Sequence, residues 1–255
     1  MRSLSVFYQG NDLSAIPGVE VFNHDFNALP TRNIRMNPIA RADKSIITSA
    51  DYTQKDITIL CDIRGKTRQE SESIITQLKA ILQPTNARVR VNQSDSEYRY
   101  TATLNEFNIT WRGLEATVEL VLLASDPVGY ETITRELLDV NTTNASATWS
   151  QVVGGSFRAQ PTFTVTINSV TGGTDEFIRI FNSRTQQGIR LQRDWVADDV
   201  LVINSSTKEI NVNGEMMDYE GIFPTFAAGT AVIGYQDGFA SRDVDVSATY
   251  VRRII

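Results

Sequence analysis

The fold is decided by the stretch Thr67-Arg-Gln-Glu70-Ser-Glu-Ser-Ile74-Ile75-Thr-Gln-Leu78-Lys-Ala-Ile81-Leu82, which Gln83-Pro84 follows. Its aliphatic residues recur at i, i+1, i+4, i+7 and i+8, which is one face of a helix with a period of 3.6 residues. Thr67 and Glu70 have the spacing of a capping box, so the pattern predicts where the helix begins. Pro84 cannot continue a helix, so the pattern also predicts where it ends.

Strand patterns surround this helix in the first half of the chain. Alternating or continuous apolar runs predict strands at Ile57–Ile63, Ala87–Val91, Tyr98–Leu104 and Leu114–Leu123. A long polar stretch, Asn23–Gln54, contains two prolines and is predicted to be an irregular loop that reaches another molecule. The sequence therefore predicts an α+β N-terminal domain that is mainly β with one prominent helix.

The second half of the chain predicts an all-β domain. Short strand patterns recur every 8–14 residues, separated by turn signals such as Asn213-Gly214 and Asp237-Gly238. Short strands at regular spacing, separated by turns, are typical of a β-sandwich or a jelly roll. Because Asn, Thr, Ser and Gly dominate the intervening stretch, we expect an N-terminal domain at 1–139, a linker at 140–160 and a C-terminal domain at 161–255.

Composition and charge exclude several classes of protein. The chain has 255 residues and a formal net charge of −6, which its two halves share equally, so neither domain is predicted to bind nucleic acid. No apolar run approaches the roughly 20 residues that a bilayer span needs, and no secretory signal is recognisable, so we expect no membrane insertion. Four cations face a single acid in or near the long loop, and they are candidates for an oligomer interface: Arg32, Arg35, Arg41 and Lys44.

Catalytic motifs are not recognisable. His24 is the only histidine and Cys61 the only cysteine, which excludes a histidine triad, a multi-histidine metal site and a disulfide within one chain. Ser205-Ser-Thr-Lys208 matches the bare pattern of some serine acyl enzymes but is predicted to be a hairpin turn. Near pairs of carboxylates, such as Asp198/Asp199 and Asp243/Asp245, leave a glycosidase-type hydrolase as an open alternative. We expect no enzyme, no cofactor and no metal.

A carbohydrate-binding module is the other alternative. Exposed aromatic rings beside polar groups stack on sugar rings, although aromatic residues of a sandwich more often belong to its core. Trp195 has charged neighbours and is the candidate we expect to be exposed, and Tyr219 is the second candidate.

Two series of motifs resemble the distal tail protein family of long-tailed, siphovirus-type bacteriophages. The first is the strand–helix–strand unit of the N-terminal half, followed by a strand that ends in Asp126-Pro127-Val-Gly-Tyr130. The second is the series Asn213-Gly214, Gly221-Ile-Phe-Pro224 and Gly229. The likeness covers most of the chain, and neither series is a catalytic signature.

The resemblance implies a structural role in the virion. In this family the N-terminal domain forms a hexameric ring that continues the tail tube around the DNA channel, and the C-terminal domain is a galectin-like β-sandwich outside the ring. The implied partners are five further copies of the chain, the tail tube protein and the tail-associated hub protein with other tail-tip proteins. The implied location is the distal tail of a virion whose proteins are made in the host cytoplasm, with DNA passing through the ring without sequence-specific binding.

Overall fold

The computed structural model of the chain describes residues 5–26, 28–38, 45–93 and 96–255. These residues form two compact units, of which the first extends to Thr132 and the second spans Ile133–Ile254.

The first unit is an antiparallel sheet with one helix. Its strands are β1 (Val6–Tyr8), β2 (Asn11–Asp12), β3 (Val19–Asp25), β4 (Thr31–Pro38), β5 (Ser45–Ile63), β6 (Ala87–Gln93), β7 (Ser96–Arg112), β8 (Glu115–Ala124) and the first residues of β9 (Gly129–Thr142). The strand order β2-β1-β6-β7-β8-β5-β3 brings the two longest strands, β5 and β7, to either side of β8. On one of its two edges, each of these long strands pairs with two different strands, one along each half.

The helix α1 (Arg68–Leu82) forms as the sequence predicts. The Thr67 hydroxyl accepts a hydrogen bond from Glu70 N at 3.2 Å, and the Glu70 carboxylate accepts one from Lys66 N at 2.6 Å. Two otherwise unpaired backbone donors are thereby satisfied at the N-terminus, as in a capping box. The helix packs on β5 and β8, and its buried apolar residues are Ile74, Ile75, Leu78 and Leu82.

Side chains of the sheet alternate between a buried side, which faces the core, and an outer side. On β8 every second residue from Ala116 to Ala124 is buried, and on β5 the same holds from Ile57 to Ile63. A β-bulge between Leu104 and Glu106 adds one residue to β7, so that Glu106 lies opposite Val121 on the outer side. The outer side of β7 therefore carries polar residues along both halves of the strand.

Cys61 lies in the middle of β5, fully buried, as a small apolar residue. Burial raises the pKa of its thiol to about 12, so the nucleophilic thiolate is scarce at neutral pH. We expect no measurable reaction of the native protein with Ellman's reagent at pH 8, and release of one equivalent of thiolate per chain after unfolding in urea. Rapid labelling of the native protein would contradict this packing.

The second unit is a sandwich of two antiparallel sheets. Its strands after β9 are β10 (Ser146–Val153), β11 (Thr162–Thr171), β12 (Glu176–Asn182), β13 (Gly188–Arg193), β14 (Val200–Asn204), β15 (Glu209–Val212), β16 (Glu215–Met216), β17 (Glu220–Gly221), β18 (Gly229–Asp237) and β19 (Ser241–Ile254). One sheet has the order β16-β15-β14-β11-β19-β9 and the other β10-β18-β12-β13-β17. One apolar cluster, which includes Phe163, Ile180, Ile233 and Val246, is buried between them. The described residues are thus mainly β with one α-helix, and the predicted fold class is confirmed.

Two stretches of the chain are more regular than the sequence suggested. The prediction of an irregular loop at Asn23–Gln54 is wrong for the residues that the structure describes. There, β3 extends to Asp25, and β4 pairs with the first half of β5 as a hairpin. The stretch 140–160, expected to be a linker, contains the end of β9 and all of β10, which pairs with β18 from Ser146 to Val153.

Ser205-Ser-Thr-Lys208 lies where the sequence predicts, in the turn between β14 and β15. The Asn204 side chain accepts hydrogen bonds from Ser206 N and Thr207 N, so it closes the turn, and Lys208 has a positive φ of 61°. These residues form a hairpin turn, without the helix that an acyl enzyme of this pattern needs.

Candidate assembly surfaces

The β4–β5 hairpin carries two of the four predicted interface cations. Arg32 is exposed, and its guanidinium lies 5.5 Å from the ring centroid of Tyr52 across the hairpin, within the range of a cation–π contact. Arg35 lies on β4 opposite Ser49. Arg41 and Lys44 lie outside the described residues. The hairpin therefore holds two of the four cations, and the assignment of all four to an interface stays a prediction.

The outer side of β6 and β7 forms a groove that no local sequence motif indicates. A cavity of about 580 Å³ lies between the turn after β1 and these strands, and an adjoining cavity of about 300 Å³ extends toward β9. Both cavities share Arg88 and Thr101 in their lining, and their other lining residues are Gln9, Gly10, Asn86, Arg90, Arg99, Tyr100, Asp126, Val128 and Tyr130. We call this combined cavity the arginine groove.

Three arginines of the arginine groove project from two neighbouring strands. Arg90 lies directly opposite Arg99, and Arg88 opposite Thr101. Arg90 is held by Glu97 at 3.3 Å and lies over the Phe7 ring at 4.5 Å. Arg88 and Arg99 are exposed, and among the described residues neither has an ion-pair partner. Two cations in a concave surface are therefore available to an external anion.

One carboxylate also belongs to the arginine groove. Asp126 accepts hydrogen bonds from Val128 N at 3.0 Å and from the Tyr130 hydroxyl at 2.9 Å. These bonds hold it in the Asp126-Pro-x-x-Tyr130 turn that the sequence singled out. The turn supplies one wall of the groove.

An acidic pair occupies the outer side at the other half of β7. Asn108 Nδ2 donates to Glu106 Oε2 at 3.3 Å and to Glu119 Oε2 at 3.4 Å, so one amide holds both carboxylates. In the part of the chain that the structure describes, neither carboxylate forms an ion pair. The outer side of the sheet thus carries unpaired cations toward β6 and unpaired anions toward β8.

The second unit corrects the expectation for Trp195. Its side chain is buried, with 3% exposure, and its indole N–H donates to Glu176 O at 3.0 Å. The charged neighbour Arg193 lies over the ring, with its guanidinium 5.2 Å from the centroid, and so covers it. Trp195 is a core residue and presents no ring to a sugar, so the expected exposure is wrong. Tyr219 is 43% exposed and packs edge-on against Phe223 at 5.0 Å.

The near pairs of carboxylates are distributed between turns and strand surfaces. Asp243 and Asp245 lie on one side of β19, and both accept from the Asn141 amide, at 2.6 and 2.8 Å. Hydrogen bonds from Asn141 and Asn168 lower the pKa of Asp245, so this carboxylate is suited to stay ionised and not to act as a general acid.

Within the described ranges, no cluster of three or more His, Cys, Asp or Glu could hold a metal ion. No helix of the same residues is long and apolar enough to cross a bilayer.

Comparisons with known proteins agree with both units. Residues 154–253 match the family model of the siphovirus-type tail component, C-terminal domain. The whole chain matches the crystal structure of the Dit protein of phage SPP1, which its authors describe as a paradigm of hub adsorption apparatus in phages infecting Gram-positive bacteria. That match has a TM-score of 0.66 and 14% identity and covers 99% of each chain. Residues 154–253 thus match the siphovirus-type tail component family, and the chain has the fold of SPP1 Dit.

Two further solved structures match the chain more weakly. A chain of the activated phage P2 baseplate with Ca matches over 98% of this chain and 97% of its own, with 9% identity and a TM-score of 0.41. The corresponding baseplate with Sr matches over 96% and 97%, with 8% identity and the same TM-score of 0.41. No curated protein matches the sequence.

Proposed function

We propose that this chain is a distal tail protein, which forms a homo-hexameric ring at the distal end of a siphovirus-type tail and joins the tail tube to the tail tip or baseplate. The observation that carries the proposal is the likeness to SPP1 Dit over 99% of both chains, together with the family match of residues 154–253. In this role the protein acts by contact, as a non-enzymatic part of the virion that is made in the host cytoplasm.

The first unit supports a ring subunit through its shape and its charges. A ring subunit needs two different surfaces for its two neighbours. The β4–β5 hairpin offers backbone edges and cations to one neighbour, and the outer side of the sheet offers charges of both signs. The tail tube protein and the tail-associated hub protein would then contact the two rims of the ring.

Passage of DNA through the ring agrees with the charge of the chain. The ring-forming N-terminal half carries half of the net charge of −6, and six copies of this acidic half would repel DNA phosphates. Repulsion favours passage without sequence-specific binding.

The alternative function, glycan binding, has lost its first candidate residue. Trp195 is buried, so Tyr219 is the remaining one of the two candidates.

The proposal can be tested in virions. Mass spectrometry of purified particles should detect the chain, and gold-labelled antibody should mark the distal end of the tail. A phage with an amber codon in this gene should give tails without a tip, and supplying the chain in trans should restore them. Particles that are complete and infectious without the chain would overturn the proposal.

A further inference from the structure

We propose that β10 is a docking strand, beside which an extended, uncharged segment of another tail protein adds as a further strand of the sheet. The inference rests on the proposed function for the source of that segment, and it names the surface of the second unit that holds the partner. Three features of β10 carry it: a free backbone edge, the lack of protection along that edge, and a tryptophan that the fold leaves partly exposed.

The backbone of β10 (Ser146–Val153) is paired along one edge only. All eight residues lie opposite residues of β18 without a bulge, and β10 is the end strand of its sheet. In an antiparallel pair, alternate residues direct their N–H and C=O groups away from the partner strand. About half of the backbone groups of β10 therefore point outward, where no strand of the described residues pairs with them.

Protection against strand pairing is missing along this edge. Natural sheets protect their edges with very short strands, charged residues, proline or bulges. The end strands β16 and β17 have two residues each and contain Glu215 and Glu220. At the remaining end, β9 carries Arg135, Glu136 and Asp139. β10 has neither charge nor proline, so it is the one end strand of the described sandwich that is both long and uncharged.

The side chains of β10 are available to a partner. Thr148 and Ser150 are exposed on the outer side, and Val152 is 77% exposed. Trp149 points to the core between the sheets but is only partly buried, with its ring centroid 6.5 Å from that of Tyr235. In the described part of the chain, no β10 side chain forms a hydrogen bond. A strand added beside β10 would cover the rest of the Trp149 ring, and a buried tryptophan stabilises an interface.

The free edge defines the chemistry of its occupant. Backbone hydrogen bonds supply the affinity of an added strand, and alternate side chains supply its specificity. Because β10 offers no ion-pair partner, a charge buried against it would stay uncompensated. The segment is therefore extended and uncharged, with an apolar side chain beside Trp149 and small or hydroxyl-bearing side chains beside Thr148 and Ser150.

A second copy of the chain fits this edge less well than a different tail protein does. Antiparallel pairing of two β10 strands is two-fold, whereas neighbouring copies in the proposed ring are related by a rotation of about 60°. The β10 strands of neighbours would therefore not meet in that way.

Hydrogen exchange measured by mass spectrometry tests whether the edge is occupied. In the purified full-length chain, about half of the amides of β10 should exchange quickly, because they point to water. In purified virions the same amides should exchange at least about tenfold more slowly. β11 is the internal reference, because it is paired on both edges and should exchange slowly in both samples.

Lysine substitutions block the edge without changing the core. Thr148→Lys/Ser150→Lys places two charges beside the added strand and should yield tails that lack the partner protein. The matched control Ser206→Lys/Thr207→Lys makes the same changes at exposed positions of the turn between β14 and β15, and its tails should be complete. Circular dichroism melting of both variants should match wild type, since all four positions are exposed.

A photo-crosslinking amino acid in place of Val152 identifies the occupant in virions, and the crosslink should lead to an uncharged segment of a different tail protein. A crosslink to a second copy, or no crosslink at all, would overturn the inference. Equally fast exchange of β10 in virions and in the purified chain would do the same, as would complete tails with Thr148→Lys/Ser150→Lys. In each of these cases the chain is still part of the virion, so the proposed function stands. If the chain is absent from virions, the proposed function and this inference fail together.

Discussion

Leu78→Ala should lower the free energy of unfolding of the first unit by about 2–5 kcal/mol. Leu78 is fully buried in the face of α1 that packs on β5 and β8. Truncation removes three carbons from this contact and leaves a cavity between α1 and the sheet. Since a domain of this size has only about 5–15 kcal/mol of stability, such a loss also reduces the amount of folded protein in the cell.

Urea unfolding followed by circular dichroism measures the effect of Leu78→Ala. Gln77→Ala is the matched control, because Gln77 is the preceding residue of the same helix and is exposed. The control should change the free energy of unfolding by less than about 0.5 kcal/mol. An equal midpoint for Leu78→Ala and wild type would show that α1 is not packed on the sheet.

Arg242→Met should lower the free energy of unfolding of the second unit by about 3–5 kcal/mol, because it leaves a buried carboxylate without its cation. Arg242 donates to Asp237 through Nε at 3.1 Å, and its Nη2 lies 3.0 Å from the same carboxylate. The Asp237 side chain has no exposure and the Arg242 side chain 10%. Asp237 also accepts from the Tyr235 hydroxyl at 2.7 Å and from Phe239 N at 2.9 Å. Two neutral donors remain in the variant, and they do not replace the lost charge.

A second substitution separates the loss of charge from the loss of packing. Asp237→Asn in the Arg242→Met background removes the buried charge, so the double variant should be more stable than Arg242→Met alone. Arg184→Met, at an exposed position, controls for the general effect of replacing an arginine. Calorimetry that finds the single and double variants equally stable would contradict a role for the ion pair.

The helix could be predicted from the sequence because its signals are local and agree with one another. The apolar period, the Thr67 cap and the Pro84 stop each depend on residues within one or two turns. Burial of Cys61 was predictable for the same reason, since the strand pattern around it is continuous. The hairpin turn at Ser205–Lys208 followed from the two strand patterns beside it.

The β4–β5 hairpin and β10 could not be predicted, because the pairing of their strands determines them and their own apolar alternation does not. β10 buries only Val153, and its Asn, Thr and Ser-rich surroundings resemble a linker until β18 pairs with it. Along β4 and the first half of β5 polar residues are frequent and the apolar alternation is weak. Periodicity gives no signal for a strand whose stability comes mainly from its backbone hydrogen bonds.

The surroundings of individual side chains were the second feature that could not be predicted from the sequence. Charged neighbours of Trp195 suggested exposure, but Arg193 covers the ring and Glu176 O takes the indole proton. The arginine groove depends on the register of β6 against β7, which places Arg88 and Arg99 together, and no local motif encodes that register.

The most direct test of a ring-forming subunit is an image of the purified, full-length oligomer along its axis, combined with its native mass. The account predicts closed rings with six-fold symmetry and a mass of six 28.4 kDa chains, about 170 kDa. A particle of a single chain at all concentrations, both alone and with tail tube protein, would contradict it.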